Sequence, residues 1–317
     1  MVKPVTVLMA VYNSPLGMLD AAIDSILGQT FRDFEFLIVD DGSSDTDVRD
    51  HLAWRSKKDA RIVVAWEPHR GLTGSLNRGM ALAQGAFIAR QDADDWSAPH
   101  RLERQWTHLM LHPTDALCGS NVWTHQQNGS SLWCTRLPQT HSAILAAFAA
   151  SNPFVHGSVF FRKSAALDVG GYCEVFRCSQ DYDFFWRLAE RHPVANLGEP
   201  LYHYRYTAGS VSARRAADQM TAHDAIRMLA ETREHGGSMQ PSAALAAAVR
   251  EAGNARDLSR ALLKQADHLM LAGHYRQAGR SYVELLRHSP RNLLGWGKLA
   301  RLGLFQTFPS LREASFR

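Results

Sequence analysis

A chain of 317 residues with 45% hydrophobic content has room for one large α/β domain and a smaller one, and is composed like a globular protein rather than a disordered or fibrous one. With 35 basic against 31 acidic residues the formal charge is +4, too even a balance to indicate nucleic-acid binding, although it permits attraction to acidic lipid or a polyanionic substrate. Cys118, Cys134, Cys173 and Cys178 form neither a CxxC pair nor a zinc spacing, so they read as reduced cytosolic thiols outside any disulfide framework.

In chain order, Val5 to Val11 is a continuous apolar run suited to a strand buried on both faces, and Tyr12-Asn13-Ser14-Pro15 ends it with turn chemistry. It is too short and wrongly flanked for a signal peptide, and no run has the length of a membrane span. A cytoplasmic protein is expected, soluble or peripheral at the inner face of the membrane. Leu16, Leu19, Ile23, Ile26 and Leu27 recur at helical spacing with Asp20 and Asp24 outward. Strands over Glu35–Val39, Arg61–Trp66 and Ala86–Arg90 alternate with helices over Asp45–Lys58 and Thr73–Ala83, which predicts a mostly parallel sheet covered by helices. Ligands of such sheets sit at the carboxyl ends of the strands. Tyr12-Asn13, Asp40-Asp41-Gly42-Ser43, Pro68-His69-Arg70-Gly71 and Asp92-Ala93-Asp94-Asp95 all fall there and should line one crevice. No GxGxxG follows the first strand, which argues against a dinucleotide.

The densest chemistry lies in Phe87-Ile88-Ala89-Arg90-Gln91-Asp92-Ala93-Asp94-Asp95-Trp96, where a short apolar strand runs into three carboxylates. Asp92 and Asp94 share a face if the segment is extended, and crowded carboxylates are costly without a cation, so a divalent metal carrying a diphosphate is the expected partner. The rival reading is that these acids cap the helix beginning near Pro99.

Val11-Tyr12-Asn13, Gln29-Thr30-Phe31-Arg32-Asp33-Phe34-Glu35, Val39-Asp40-Asp41-Gly42-Ser43, Gly71-Leu72-Thr73-Gly74-Ser75-Leu76-Asn77-Arg78-Gly79 and Gln91-Asp92-Ala93-Asp94-Asp95 together resemble the family 2 glycosyltransferases. The resemblance continues through His156-Gly157-Ser158-Val159-Phe160-Phe161-Arg162 and Gln180-Asp181-Tyr182-Asp183-Phe184-Phe185-Trp186-Arg187 and covers about residues 4–207. It implies a GT-A fold, with a transferase domain over 1–210 whose nucleotide-binding half is about 1–98 and whose acceptor half is about 99–210.

On that resemblance Tyr12 packs on the nucleobase of a nucleoside-diphosphate sugar, most plausibly UDP-linked, and Asp41 accepts its imide N–H. A core aromatic is the alternative for Tyr12, and Asp40 only shapes the loop. Asp92 and Asp94 form the Asp-x-Asp motif, one toward the ribose or sugar and one toward Mg²⁺ or Mn²⁺, with Asp95 close enough to take the metal role instead. Both are hard cations suited to carboxylate and diphosphate oxygens. Asp181 is the candidate base on a helix whose apolar positions imply burial, which raises a carboxylate pKa. Asp183 is its competitor, and a plain N-cap role stands open for either. Gln180 stands where many relatives carry Glu, so a two-carboxylate arrangement does not carry over. Direct displacement with one base inverts the anomeric centre. His156 either contacts donor or acceptor or orders its loop, and Arg187 and Arg205 either face diphosphate or make structural contacts. No Gln-x-x-Arg-Trp run follows Asp181, which favours single-sugar addition over processive synthesis.

Beyond Thr207 the strand signals stop, and 211–317 reads as an all-α extension. Ser210 to Arg215 is a connector, Asp218 to His235 a helix with Met220, Ile226, Met228 and Leu229 inward, and Pro241 to Arg250 another. The stretch from Ala261 to Asn292 resembles one tetratricopeptide-type hairpin, expected to pack as a helical cap. Arg287, His288, Arg291, Lys298, Arg301 and Arg312 lie among Leu293, Leu294, Trp296, Leu299, Leu302, Leu304 and Phe305, a pattern of either core packing or membrane contact. The expected activity is a metal-dependent inverting glycosyltransferase of surface polysaccharide biosynthesis, acting on a saccharide or lipid-linked acceptor, with oligomeric state left open. The alternatives are a nucleotidyltransferase, which would need a Gly-rich basic loop after the first strand, or a noncatalytic binding protein with an inherited fold.

Overall fold

The computed structural model describes residues 3–210, 215–251 and 255–307. The chain divides into two compact units, Met1–Trp123 with Cys134–Tyr204, and Thr124–Trp133 with Arg205–Arg317.

The first unit opens with β1 (Val5–Val11), α1 (Leu16–Leu27), β2 (Phe34–Asp40), α2 (Thr46–Lys58), β3 (Ile62–Trp66), α3 (Gly71–Leu82) and β4 (Phe87–Gln91). β1, β2 and β4 are apolar runs because both of their faces are covered, and they pair in parallel in the order β3-β2-β1-β4. Val7, Met9, Ile23, Phe36, Ile38 and Leu52 form the core under α1 and α2. Every strand of this half points the same way, so the four loops at their carboxyl ends lie along one edge of the sheet.

There follow β5 (Trp96–Ser97), α4 (Arg101–Leu111), β6 (Leu117–His125), β7 (Ser131–Cys134), α5 (His141–Phe148), a 3₁₀ turn (His156–Ser158), β8 (Phe160–Arg162), α6 (Lys163–Asp168), α7 (Gln180–Arg191) and β9 (Val194–Arg205). β8 lies beside β4 but runs antiparallel to it, and β6 and β9 continue the sheet. The 3₁₀ turn is thereby delivered beside the acidic end of β4. All four cysteines are free thiols.

The second unit carries α8 (Ala216–Glu234), α9 (Pro241–Glu251), α10 (Ala255–Leu271), α11 (Tyr275–His288) and α12 (Leu293–Thr307). α10 and α11 form the expected hairpin. Its turn is set by Gly273 at φ +87, with the His274 N–H reaching back to the Leu269 carbonyl at 2.8 Å, a glycine C-cap. Leu262, Ala266, Leu269, Ala278, Tyr282, Leu285 and Leu302 make the core of this unit, and the Tyr282 hydroxyl donates to Asp267 at 2.6 Å. On α8 the inward face is Ala222, Ala225, Ile226, Leu229 and Ala230, whereas Met220 and Met228 are only half-buried because small residues hold the close-packed stripe. Residues 211–214 of the expected connector, Arg312, and the side chains of Leu304 and Phe305 lie outside the described residues. Among the described residues no helix is long and apolar enough to cross a membrane.

Candidate active site

One end of the candidate site is built where β1, β2 and β3 stop. Asn13 takes the left-handed conformation at φ 47, which an Asn tolerates, and its backbone N–H donates to Ser43 Oγ at 3.0 Å while its Oδ1 accepts the Asp45 N–H at 3.0 Å. That stitching leaves Tyr12 outside the core at 48% exposure, with its ring 4.3 Å from the ring of His69. The core-aromatic reading of Tyr12 therefore fails. Gly42, at φ +69, cannot carry a side chain, because a Cβ there would sit 2.7 Å from the His69 backbone nitrogen.

Asp41 is buried and heavily engaged. It accepts the N–H groups of Arg70 (2.7 Å) and Gly71 (3.0 Å) and the Ser75 hydroxyl (2.7 Å), while the His69 ring Nδ1 lies 2.9 Å from its Oδ2 and 3.1 Å from its backbone carbonyl oxygen. Its charge thus meets the positive end of α3. Asp41, expected to accept a nucleobase N–H, is thus already engaged at the head of α3, with the exposed ring of His69 beside it. Asp40 accepts the Ser43 N–H at 3.3 Å and shapes the loop, as expected.

The acidic segment is a turn and not an extended strand, because β4 ends at Gln91 and the Gln91 amide donates to the carbonyls of both Asp92 (3.0 Å) and Asp95 (3.2 Å). Asp92 Oδ1 lies 2.5 Å from Arg90 Nη2, and its backbone N–H donates to the Tyr202 hydroxyl at 3.1 Å. Asp92 and Asp94 are half-buried and Asp95 is buried. None of the three caps α4, whose first turn is preceded by His100. Beneath the turn Arg101 is wholly buried and donates to Gln105 (3.0 Å), Ser97 (2.8 Å), Gln91 (3.2 Å) and the carbonyls of Arg90 (2.5 Å) and Val159 (3.2 Å). Burial pulls its pKa down to about 10, so it stays charged at neutral pH. Its guanidinium also lies over the Tyr202 ring at 5.1 Å.

Among the described residues no three His, Cys, Asp or Glu side chains gather as a ready-made metal cage. The turn instead offers oxygen donors from one or two carboxylates, Asp94 and Asp95, with Asp92 already held by Arg90. Such a set fits a hard cation whose remaining ligands are diphosphate oxygens and water.

Asp181 occupies the first turn of α7, after Ser179, so neither it nor Asp183 is the N-cap residue. Its carboxylate accepts the Asn152 amide at 2.8 Å. Burial lifts its pKa to about 6, and the charge of Asp92 pushes the same way, against the opposing help of local N–H groups and Asn152. Asp183 is removed as a competitor. It is buried against Arg187 (Nε 3.0 Å, Nη2 2.6 Å), whose other donors hold the carbonyls of Val169 and Gly171. Arg187 is accordingly structural, and Arg205 belongs to the second unit. His156 Nε2 meets the Tyr172 hydroxyl at 3.0 Å, and burial, with Arg90 nearby, takes its pKa down to about 3, leaving a neutral imidazole. Gly157 must be glycine: a Cβ would overlap the Tyr202 hydroxyl and meet Asp92 Oδ2 at 2.7 Å.

Sequence reasoning missed Arg90, Arg101, Asn152, Tyr172 and Tyr202 as parts of this site. One signal was available, an arginine inside the apolar strand β4. The others stand in ordinary helical, loop and strand contexts, and only the fold brings them to Asp92 and Asp181.

Comparison with known proteins bears on the family and the fold. Residues 6–170 match the sequence profile described as Glycosyl transferase family 2. The chain is 31% identical over 204 residues to the O-antigen biosynthesis glycosyltransferase WbnJ of Escherichia coli, covering 63% of this chain and 79% of that protein. It is 29% identical over 212 residues to the amylovoran biosynthesis glycosyltransferase AmsE of Erwinia amylovora, covering 66% of this chain and 79% of that one. Among solved structures, S. aureus TarS in complex with UDP-GlcNAc aligns with TM-score 0.57 at 17% identity over 88% of this chain and 83% of that one. The mannosyltransferase PcManGT of Pyrobaculum calidifontis, in complex with GDP-Man and Mn²⁺, aligns with TM-score 0.56 at 15% identity over 100% of this chain and 85% of that one. These structural likenesses establish the GT-A fold, and the family match and the named relatives remove the nucleotidyltransferase and noncatalytic alternatives. The chain belongs to glycosyltransferase family 2 and is a glycosyltransferase.

Proposed function

We propose that this glycosyltransferase moves one sugar at a time from a UDP-linked donor to a hydroxyl of a saccharide or lipid-linked acceptor in surface polysaccharide assembly, with inversion. The observation that carries the reading is Asp181, one carboxylate on the first turn of α7, held by the Asn152 amide at 2.8 Å and in electrostatic reach of the Asp92 turn, where burial lifts its pKa to about 6. A base of that pKa is ionised at neutral pH yet basic enough to take a proton from an alcohol as it attacks. The acceptor oxygen bonds to the anomeric carbon as the carbon–oxygen bond to the diphosphate breaks, the diphosphate leaves with the electron pair, and Asp181 holds the proton. Tyr12 and His69 supply the stacking surface for the base, Asp41 its acceptor, and Asp92 orients the ribose or sugar. Asp94 and Asp95 would hold Mg²⁺ or Mn²⁺, which would supply neutralising charge for the departing diphosphate. The relatives named for O-antigen and amylovoran biosynthesis support the product class, and the UDP-GlcNAc and Mn²⁺ complexes of structural neighbours support the donor and cation. A panel of UDP-, GDP- and dTDP-sugars scored by nucleotide release, with each cation and with chelator, tests this. Release from no UDP-sugar, or undiminished release in chelator, defeats the corresponding part.

Peripheral contact with the inner face of the membrane belongs to the same proposal. In the first turn of α12 Leu293 is 84% exposed, Leu294 67% and Trp296 53%, beside exposed Arg287 and Arg291. Arg287, Arg291, Lys298 and Arg301 match the whole chain's net charge of +4, and no acidic residue lies between Leu285 and Thr307. An apolar tip ringed by cations suits an anionic lipid surface.

A further inference from the structure

The loop between α5 and the 3₁₀ turn is held more firmly than a loop needs to be. Asn152 Oδ1 accepts the Phe154 N–H at 3.1 Å, which fixes the amide so that its Nδ2 is the donor. Pro153 follows, and its carbonyl accepts Asn196 Nδ2 of β9 at 3.0 Å. The ring of Phe154 is buried edge-on against Phe185 of α7 at 5.4 Å and near Phe148 of α5 at 6.2 Å. Three elements thus anchor Asn152 before it meets the carboxylate of α7 at 2.8 Å.

We propose that Asn152 is the positioning residue for Asp181, committing Oδ2 to its amide and presenting the other oxygen to the acceptor hydroxyl. This rests on the reading of Asp181 as the base. The physical reason is geometric. A carboxylate on the first turn of a helix rotates about its terminal bond at little cost, and a base gains only if its lone pair meets the acceptor proton in line. An amide already locked by its own loop removes that freedom without adding charge. Asp92 from the turn after β4 and Tyr172 from the loop before α7 are the titratable groups in reach of this carboxylate, and His156 and Arg90 in turn act on Tyr172. Beside the backbone N–H groups of Asp181 and Tyr182, the Asn152 amide is the side-chain donor in direct contact with the base.

The test compares Asn152→Ala, Asn152→Ser and Asp181→Asn in the full chain, by donor-binding calorimetry with UDP and by the pH profile of kcat/KM. Asn152→Ala is expected to lower kcat by between about tenfold and about a hundredfold, to leave the UDP affinity within about twofold, and to move the acidic limb to higher pH, because a contact favouring the ionised form is lost. Asn152→Ser, whose hydroxyl can donate, should recover part of both effects and serves if the alanine variant does not fold. An unmoved limb with unchanged kcat, or a loss that appears in UDP affinity alone, overturns the positioning role while leaving the base in place. Near-normal turnover in Asp181→Asn overturns the base and with it this proposal.

Discussion

Arg90 Nη2 sits 2.5 Å from Asp92 Oδ1, and Arg90 is buried while Asp92 is only half-buried. A guanidinium inside the sheet thus reaches outward to hold the first carboxylate of the acidic turn. Arg90→Met is expected to cost about 1–3 kcal/mol in urea unfolding, the scale of losing hydrogen bonds to a charged partner that solvent still reaches, and to raise the KM for donor with a smaller change in kcat. An unchanged donor KM would separate Arg90 from donor binding.

The pH dependence follows from Asp181. Activity should rise as pH climbs through about 6, as the base ionises. Stability runs the other way. A carboxylate whose folded pKa is raised contributes stability below its unfolded value of 3.8, which is lost as pH rises through about 6. Asp181→Asn removes that loss, so at pH 8 it should be more stable than the wild type by about 1–2 kcal/mol, after discounting for partial solvent screening, while its turnover vanishes and UDP binding persists. Denaturant melts of both proteins at pH 4 and pH 8 check the sign.

Gly157→Ala forces a methyl against the Tyr202 hydroxyl and Asp92. Overpacking at such a position costs about 1–3 kcal/mol, and the turn must shift to relieve it. Thermal melts together with donor KM measure this; an alanine variant with wild-type values for both would show that the approach of the 3₁₀ turn to Asp92 is unimportant.

Metal-linked binding is read by thermal shift with UDP, with and without Mn²⁺. The wild type should gain stability from UDP chiefly when Mn²⁺ is present, and Asp94→Ala or Asp95→Asn should each lose most of that gain. The variant with the larger loss identifies the principal ligand. Equal shifts in all three proteins would remove the cation from this turn.

Flotation with phosphatidylglycerol vesicles tests the tip of α12. The wild type should float and Leu293→Ser/Leu294→Ser should stay behind, with binding weakened by salt. Flotation that survives the double substitution rejects the tip as the contact.

Much of this was legible without coordinates. β1 and α1 appear where apolar runs and helical spacing place them, and the other strands and helices of the nucleotide-binding half begin or end within a residue or two of expectation. Local periodicity is a strong signal in a parallel sheet whose strands are buried on both faces. Less legible was the state of each carboxylate. Asp183 and Asp181 are two residues apart on one helix, yet one is paired with Arg187 and the other has its pKa raised to about 6 by burial.

The amino-acid sequence by itself determined the strand and helix order, the placement of acidic loops at one edge of the sheet, and the family, because these depend on residues near one another in the chain. Only the tertiary structure decided that Asp41 is engaged by the head of α3, that Asp92 is gripped by Arg90, and that Asn152 holds Asp181. Charge state and hydrogen-bond partner depend on what distant segments bring within about 3 Å, and local pattern carries no record of that.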